Sequence, residues 1–381
     1  MNVENARLLP DADVPRAPLR VAFFSDAFPE RNGTGAYYHD LMPQLRGRVE
    51  ALQLFQPGAA GVRPLLSIPM PGDPAQRLVT PPLRRVRAAC AALRPNVVVV
   101  VTPGLYGLLG AWEARRHGAV LISAFHTDFE QLARMYWNPV SRFFVNLVLR
   151  AANRIVCGLS SRVLINNARL RDDVLRLGAR DVEVIGTPLP REIIASPPRR
   201  IAARLQRVCF AGRLAPEKNV EHIIDAARRL PQIEFVIGGD GPLRAQLEQR
   251  AQGLDNLRFT GWLSRGELVQ LLDSASLLLL PSAFETFGSI ALEAMARGRP
   301  ALVSTSAGIH AWPALRPGLF AIEEPADIGA LLAALLELSP GEWQRKSEAA
   351  RRVALELNGR TTEHWLELLQ RQLPAAGAGA P

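Results

Sequence analysis

Two glutamates eight positions apart, Glu285 and Glu293, lie in residues 281–300, PSAFETFGSIALEAMARGRP. Residues 276–280, SLLLL, read as a buried strand before them, and residues 301–304 as another after them. A helix from about Gly288 to about Arg297 lies between, with Glu285 on its entering loop and Glu293 inside it. A strand–loop–helix unit aims its helix N-terminus at the crevice beyond the strand's carboxyl end. Free N–H groups and partial positive charge there suit an anion such as a diphosphate. Carboxylates at each end of such a site accept hydrogen bonds from sugar hydroxyls. The local chemistry is that of an anion flanked by polyols, as in a nucleotide-sugar. Two glutamates around a helix start also serve as plain charge complements, so the pair needs company.

That company is upstream. Residues 212–219, GRLAPEKN, begin with Gly212 and place Arg213 and Lys218 on a loop after a strand. Two cations beside a helix N-terminus can bind a diphosphate and stabilise charge growing on it as it leaves. Only two of the 45 basic residues are lysines, Lys218 and Lys346; an otherwise arginine-using chain keeps a compact point charge at 218. Residues 238–241, GGDG, put Gly239 in a turn at the next strand end, and RFTGW (258–262) marks the one after.

These residues need a scaffold of alternating strands and helices. In the first half, strands are expected at 20–25, 49–55, 96–102, 119–125, 154–157 and 182–185. Helices are expected at about 36–45, 75–93 and 105–117. In the second half, strands are expected at 208–211, 234–238, 257–260, 277–280 and 301–304, with helices between and three helical segments closing the chain. Continuous apolar strands separated by helices imply parallel sheets covered on both faces. The expected division is a loose arm at 1–18, a domain at 19–190, a Pro- and Arg-rich linker at 191–205, a second domain at 206–358, a helix at 359–373 packing back on the first domain, and a tail at 374–381. The turn Asn32–Gly33–Thr34–Gly35 follows the first strand, but Tyr38 stands where a dinucleotide fingerprint needs its third glycine. His126 follows the strand at 119–125, a position that serves either a structural hydrogen bond or the cleft.

The composition, 48% hydrophobic and 21% charged over 381 residues, describes a protein with a large core and room for two domains. No apolar run approaches the ~20 residues of a membrane span, and the first 20 residues lack an apolar signal core. Three cysteines, Cys90, Cys157 and Cys209, sit among apolar neighbours without metal-ligand spacing. The expectation is a cytosolic protein. The net charge of +9 is concentrated in residues 1–200, which hold 26 basic and 16 acidic residues against 19 and 20 in the remainder. Such asymmetry fits an anionic partner for the first half, or a surface painted by arginine usage. Residues 140–153 space Val140, Phe143, Phe144, Leu147, Val148 and Ala151 at helical period. That pattern fits a core-facing helix, and also an interfacial one with Tyr136 and Trp137 at the headgroup boundary and Arg84, Arg85 and Arg87 nearby attracting anionic lipid.

Taken in order, FAGRLAPEKN, FVIGGDGP, LRFTGWLS and PSAFETFGSIALEAMARGRPALVS make residues 208–305 resemble the family-4 retaining glycosyltransferases of the GT-B fold. The first half resembles, through its opening turn and AFHTDFEQLARMYW, members that glycosylate lipids with glucose or mannose. The resemblance implies two doubly wound Rossmann-like domains facing a cleft, and transfer of a hexosyl group from a nucleotide-diphosphate sugar to a lipid or lipid-linked glycan. It implies that Arg213 and Lys218 grip the diphosphate, Glu293 takes the ribose hydroxyls, and Glu285 holds a sugar hydroxyl with amides around Phe287, Gly288 and Ser289. Gly212 and Gly239 belong to the same donor-binding edge. Gly33 closes the first loop over the phosphates, His126 sits beside the sugar, and Asp26 is a further candidate on the first loop. It also implies retention at the anomeric carbon by front-face substitution, with no cofactor and no obligatory metal.

Family members carry Gly-Gly-x-x-Glu after the strand that here ends near Ser304; this chain has STSAGIHAWPALRPG, with Gly308 alone and no glutamate. A non-catalytic protein that holds a nucleotide or an anionic surface is therefore the alternative. Nothing in the sequence carries a nucleic-acid-binding motif.

Overall fold

The computed structural model describes residues 18–28, 33–58, 64, 66–70, 73–126, 139–199, 203–323 and 327–373. The first half forms β1 (Arg20–Phe24), β2 (Ala51–Phe55), a hairpin of β3 (Ser67–Met70) and β4 (Asp73–Val79), β5 (Val97–Val100), β6 (Val120–Phe125), β7 (Arg162–Ile165) and β8 (Val182–Val184). Its helices are α1 (Gly33–Leu45), α2 (Leu83–Leu93), α3 (Leu105–His117), α4 (Pro139–Leu159) and α5 (Arg171–Arg176). The second half opens with α6 (Arg191–Ile194). It continues through β9 (Arg207–Ala211), α7 (Val220–Arg229), β10 (Glu234–Gly238), α8 (Arg244–Arg250), β11 (Leu257–Gly261), α9 (Arg265–Ser274), β12 (Leu277–Leu280), α10 (Ser289–Ala296), β13 (Ala301–Ser304) and β14 (Leu319–Ile322). Helices α11 (Ile328–Leu336) and α12 (Pro340–Arg371) end the described chain.

Two six-stranded sheets result, ordered β2-β1-β5-β6-β7-β8 and β11-β10-β9-β12-β13-β14. Every pairing in both is parallel. The strand cores VVVV and LLLL are buried throughout because helices cover both faces. Alternation along β1 sorts Val21 and Phe23 to the face packed by α1 and the end of α12, and Ala22 and Phe24 to the face packed by α2, α3 and α4.

Several expectations needed correction. Residues 75–93 do not form one helix. The Pro81–Pro82 pair, with no amide donors, separates β4 from α2. Arg77 therefore lies on the hairpin, where its Nε donates to Ser67 Oγ at 2.6 Å. Residues 154–157 belong to α4, and the strand comes later as β7; a run of three apolar residues does not separate the two by periodicity. The described chain closes on one 32-residue helix, α12, opened by a Ser339–Glu342 capping box. Its Trp343 and Trp365 are both fully buried, in the cores of the second and first domains respectively.

The chain crosses between domains beside this helix. Tyr37 Oη donates to Gly186 O at 2.7 Å, Gln44 Nε2 to Leu189 O at 2.9 Å, and Leu189 N to Asn358 Oδ1 at 2.7 Å. Beyond it, residues 193–197 are tied to the second domain by the fully buried Arg297. Its guanidinium pairs with Asp273 at 2.5 Å and donates to the carbonyls of Ile193, Ser196 and Pro197.

Candidate active site

The order of strands reverses in the second sheet between β9 and β12, with β10 on one side and β13 on the other. The crevice beyond such a reversal is where doubly wound sheets bind ligands. The loops that leave these two strands carry Gly212–Lys218 and Pro281–Gly288, so the residues singled out in the sequence converge there. Backbone bonds lock the loops together. Ala283 N donates to Glu217 O at 2.9 Å, and Asn219 Nδ2 to Pro281 O at 3.1 Å. The GGDG turn joins from the side: Gly212 N donates to Gly238 O at 3.0 Å, and Leu214 N to Asp240 O at 2.9 Å. Gly239 has φ +125°, and a Cβ there would lie 1.8 Å from Gly212 O. Only glycine fits.

The Lys218 ammonium forms an ion pair with Glu285 Oε1, which also accepts from Ser282 Oγ at 3.2 Å. Both side chains of the pair are mostly buried. Arg213 is half-buried on the same loop as Lys218. Gly288, at φ +97°, turns the chain into α10, so the first amides of that helix, from Ser289 on, face the same edge. Phe287 is buried beneath the turn.

Glu293 is the one ionisable residue within α10, whose neighbours from Ala291 to Ala296 are all buried. Its Oε2 is buried without a hydrogen-bond partner, and its Oε1 lies 3.8 Å from Arg265 Nη1. Burial raises the carboxyl to about 7; Arg265 pulls it down, while Asp40 and Glu192 push it up. A buried carboxylate oxygen lacking a donor is costly, and a vicinal diol is a ligand that would supply donors.

The first domain contributes differently. Gly33 begins α1 and is exposed, with nothing near a Cβ built on it. His126 stands at the carboxyl end of β6 but is only 6% exposed. Its Nε2 shares a 2.7 Å hydrogen bond with Tyr38 Oη, and its ring lies 4.8 Å from that of Tyr37. Burial lowers its pKa to about 4, with Asn166 opposing weakly, so the imidazole is neutral at pH 7. Asp26 is engaged within the first domain: its carboxylate accepts from Thr102 Oγ1 and from the amides of Tyr106 and Gly107 at the start of α3.

The loop that lacks the family's glutamate supports Glu285 through its backbone. Gly308 N donates to Glu285 O at 3.0 Å, and Ile309 N to Phe287 O at 2.8 Å. A Cβ at Gly308 would lie 1.8 Å from Thr286 O. The loop also reaches the first domain: Trp312 Nε1 donates to Asn166 O at 2.9 Å, beside the 3.1 Å bond from Asn167 Nδ2 to Thr286 O.

Two family models account for most of the chain. "Glycosyl transferases group 1" matches residues 196–351, and "Glycosyltransferase Family 4" matches residues 31–192. The chain belongs to the family-4 glycosyltransferases of the GT-B fold. It is 32% identical over 238 residues to a GDP-mannose-dependent alpha-(1-6)-phosphatidylinositol dimannoside mannosyltransferase of Mycobacterium tuberculosis, covering 59% of this chain and 61% of that protein. It is 31% identical over 248 residues to a 2-deoxystreptamine N-acetyl-D-glucosaminyltransferase of Streptomyces fradiae, covering 57% and 58%. The match thus spans about three-fifths of the length of these relatives. The fold matches WaaG, a glycosyltransferase involved in lipopolysaccharide biosynthesis, with TM-score 0.66 and 18% identity over 92% of this chain and 99% of that one. It also matches the sucrose-phosphate synthase of Thermosynechococcus elongatus, with TM-score 0.71 and 16% identity over 93% and 98%.

On the first domain of this glycosyltransferase, α2, α3 and α4 present an outward face without exposed acid. Their single acidic residue, Glu113, is fully buried. Arg84, Arg85 and Arg87 are exposed, and Arg87 lies 4.7 Å over the ring of Trp112. The apolar stripe on α4 is not core-facing: Phe143 is 64% exposed, Leu147 56% and Val148 66%. Tyr136 and Trp137 lie outside the described residues, as does the side chain of Phe144. Among the described residues no helix is long and apolar enough to cross a membrane, and no group of His, Cys, Asp and Glu is arranged to hold a metal ion.

Sequence reasoning missed Arg265 and Asp40. The signal for Arg265 was present: the capping box Ser264–Glu267 starts α9 and leaves an arginine at its first position, where a cation opposes the helix dipole.

Proposed function

We propose that this glycosyltransferase moves a hexosyl group, with retention, from a nucleotide-diphosphate sugar to a lipid or lipid-linked glycan at an anionic membrane surface, without an obligatory metal. The observation that carries this is the Lys218–Glu285 ion pair at the β9/β12 reversal, with the unpartnered oxygen of Glu293 on the helix that the Glu285 loop enters.

In the proposed complex the ribose diol donates to Glu293, and the diphosphate lies against the start of α10 and the β9 loop. The diphosphate competes with Glu285 for Lys218. Glu285, released, accepts from a sugar hydroxyl. Lys218 and Arg213 neutralise charge as the bond from the anomeric carbon to the phosphate oxygen breaks. The acceptor oxygen bonds to the same face, and its proton passes to the departing phosphate. His126, neutral and buried, orients its surroundings by hydrogen bonding and donates no proton at neutral pH. Gly33 lies on the first domain's side of the donor.

The lipid acceptor rests on the α2–α4 face, where arginines and outward apolar side chains suit an anionic interface. It also rests on the similarity to a phosphatidylinositol dimannoside mannosyltransferase. Incubating the protein with each common sugar nucleotide and vesicles of anionic lipid tests the reading. Release of nucleoside diphosphate with an axial-to-axial or equatorial-to-equatorial product is expected. An inverted product would overturn the retaining mechanism, and absence of both transfer and slow donor hydrolysis would favour a non-catalytic binder.

A further inference from the structure

Arg265 is held between the two domains. Its Nη2 lies 3.0 Å from Asp40 Oδ2 on α1, and its Nη1 3.8 Å from Glu293 Oε1 on α10. Asp40 is 8% exposed and Glu293 8%, so both carboxylates are largely out of water here. Glu192, at the start of α6, adds a third negative charge acting on both. One guanidinium thus lies between two carboxylates of different domains, and Asp40 has His39 Nδ1 at 3.4 Å as its other ion-pair neighbour. Arg265 stands at the first position of α9, where the helix dipole disfavours a cation. Ser264 and Glu267 cap that helix, which fixes where the arginine starts.

We infer that Arg265 is a positioning residue: it fastens Asp40 of the first domain to the donor-binding Glu293, so that closure of the cleft and occupation of the nucleoside pocket depend on one another. This rests on the reading of Glu293 as the ribose ligand. With Arg265 in place, closure brings Asp40 to a cation. Without it, the same movement brings Asp40 toward Glu293, two largely buried carboxylates whose like charges repel strongly, with His39 the remaining cation-capable neighbour of Asp40. A diol donating to Glu293 satisfies that carboxylate, which leaves Arg265, on the same domain as Glu293, to pair with Asp40 as the first domain closes.

Titration calorimetry with UDP, GDP and ADP identifies which nucleotide the wild-type protein binds. That nucleotide is then titrated into Arg265→Ala, Asp40→Asn and the double variant, with the radius of gyration measured by X-ray scattering with and without it. Arg265→Gln replaces Arg265→Ala if the latter does not fold. Loss of the cation is expected to weaken binding by about tenfold or more and to abolish the nucleotide-dependent contraction. Asp40→Asn added to Arg265→Ala is expected to restore part of both, because it removes a repelling charge; a merely structural arginine gives no such rescue. Binding and contraction unchanged in Arg265→Ala, or no recovery in the double variant, overturn the inference while leaving the nucleotide site standing. A wild-type protein that binds none of the three nucleotides overturns both.

Discussion

Lys218 and Glu285 come from loops that leave different strands, 67 residues apart, yet their ammonium and carboxylate are paired at the point where the strand order of the second sheet reverses. Each is the other's competitor for a ligand. In the proposed complex a diphosphate draws on Lys218, and a sugar hydroxyl draws on Glu285. The two substitutions should therefore separate binding from transfer. Lys218→Ala is expected to lower kcat/KM by about 10²-fold or more and to weaken nucleoside diphosphate binding, with Lys218→Arg retaining part of both. Glu285→Gln is expected to keep or tighten diphosphate binding while transfer falls. Parallel calorimetry and steady-state kinetics check this, and equal losses of binding in both variants would contradict it.

Glu293 should cost stability and supply function. Its folded pKa of about 7 exceeds the ordinary value of 4.5, so the folded state holds an extra proton between those values. The stability associated with the neutral form is complete below about 4.5 and is lost as pH rises through 7. Glu293→Gln cannot ionise. The variant is expected to melt a few degrees above wild type at pH 8 and close to it at pH 5, while nucleotide binding is lost. Melting curves across that range check the sign.

Gly239 holds the donor edge together by having no side chain. Gly239→Ala would place a Cβ 1.8 Å from Gly212 O at φ +125°, so the GGDG turn and the β9 loop must move apart. Strain at both levels is expected to cost several kcal/mol or to displace Arg213 and Lys218. The measurement is a denaturation midpoint together with nucleotide affinity. Gly33→Ala makes the contrast, since a Cβ there meets nothing within 4 Å and its melting temperature is expected to stay close to wild type.

The α2–α4 face should bind anionic lipid. Replacing Arg84, Arg85 and Arg87 by glutamate reverses the charge of α2 without touching the core, since all three are exposed. Binding to vesicles containing phosphatidylglycerol is expected to drop by about tenfold or more and to lose its salt dependence. Leu147→Asp, on the outward row of α4, is expected to weaken binding at any salt concentration. Wild-type protein that ignores anionic vesicles would contradict the membrane reading and leave the donor site unaffected.

The second domain was legible because its chemistry and its scaffold coincide locally. Arg213, Lys218, Glu285 and Gly288 sit on loops directly after short apolar strands, and parallel strands deliver those loops to one edge of the sheet. The contacts that cross between domains were not legible. Asp40 meets Arg265 across 225 residues, and Trp365 packs with Tyr37 and Tyr38 through a helix that leaves the other domain. His126 read as a cleft residue ahead of a core hydrogen bonder; its burial under those tyrosines comes from α1, far away in sequence. The proline pair at 81–82 was visible, but helical composition on both sides masked the hairpin before it. The outward face of α4 was ambiguous because an apolar stripe does not state what it faces.

The central claim is a metal-independent nucleotide-sugar site at the β9/β12 reversal. It is tested most directly by titrating UDP, GDP and ADP into the protein with and without EDTA, then repeating with Lys218→Ala. The account predicts that one of the three binds equally with and without the chelator and that the substitution weakens its binding by about tenfold or more. Binding unchanged in Lys218→Ala, or binding that requires a divalent cation, would contradict it.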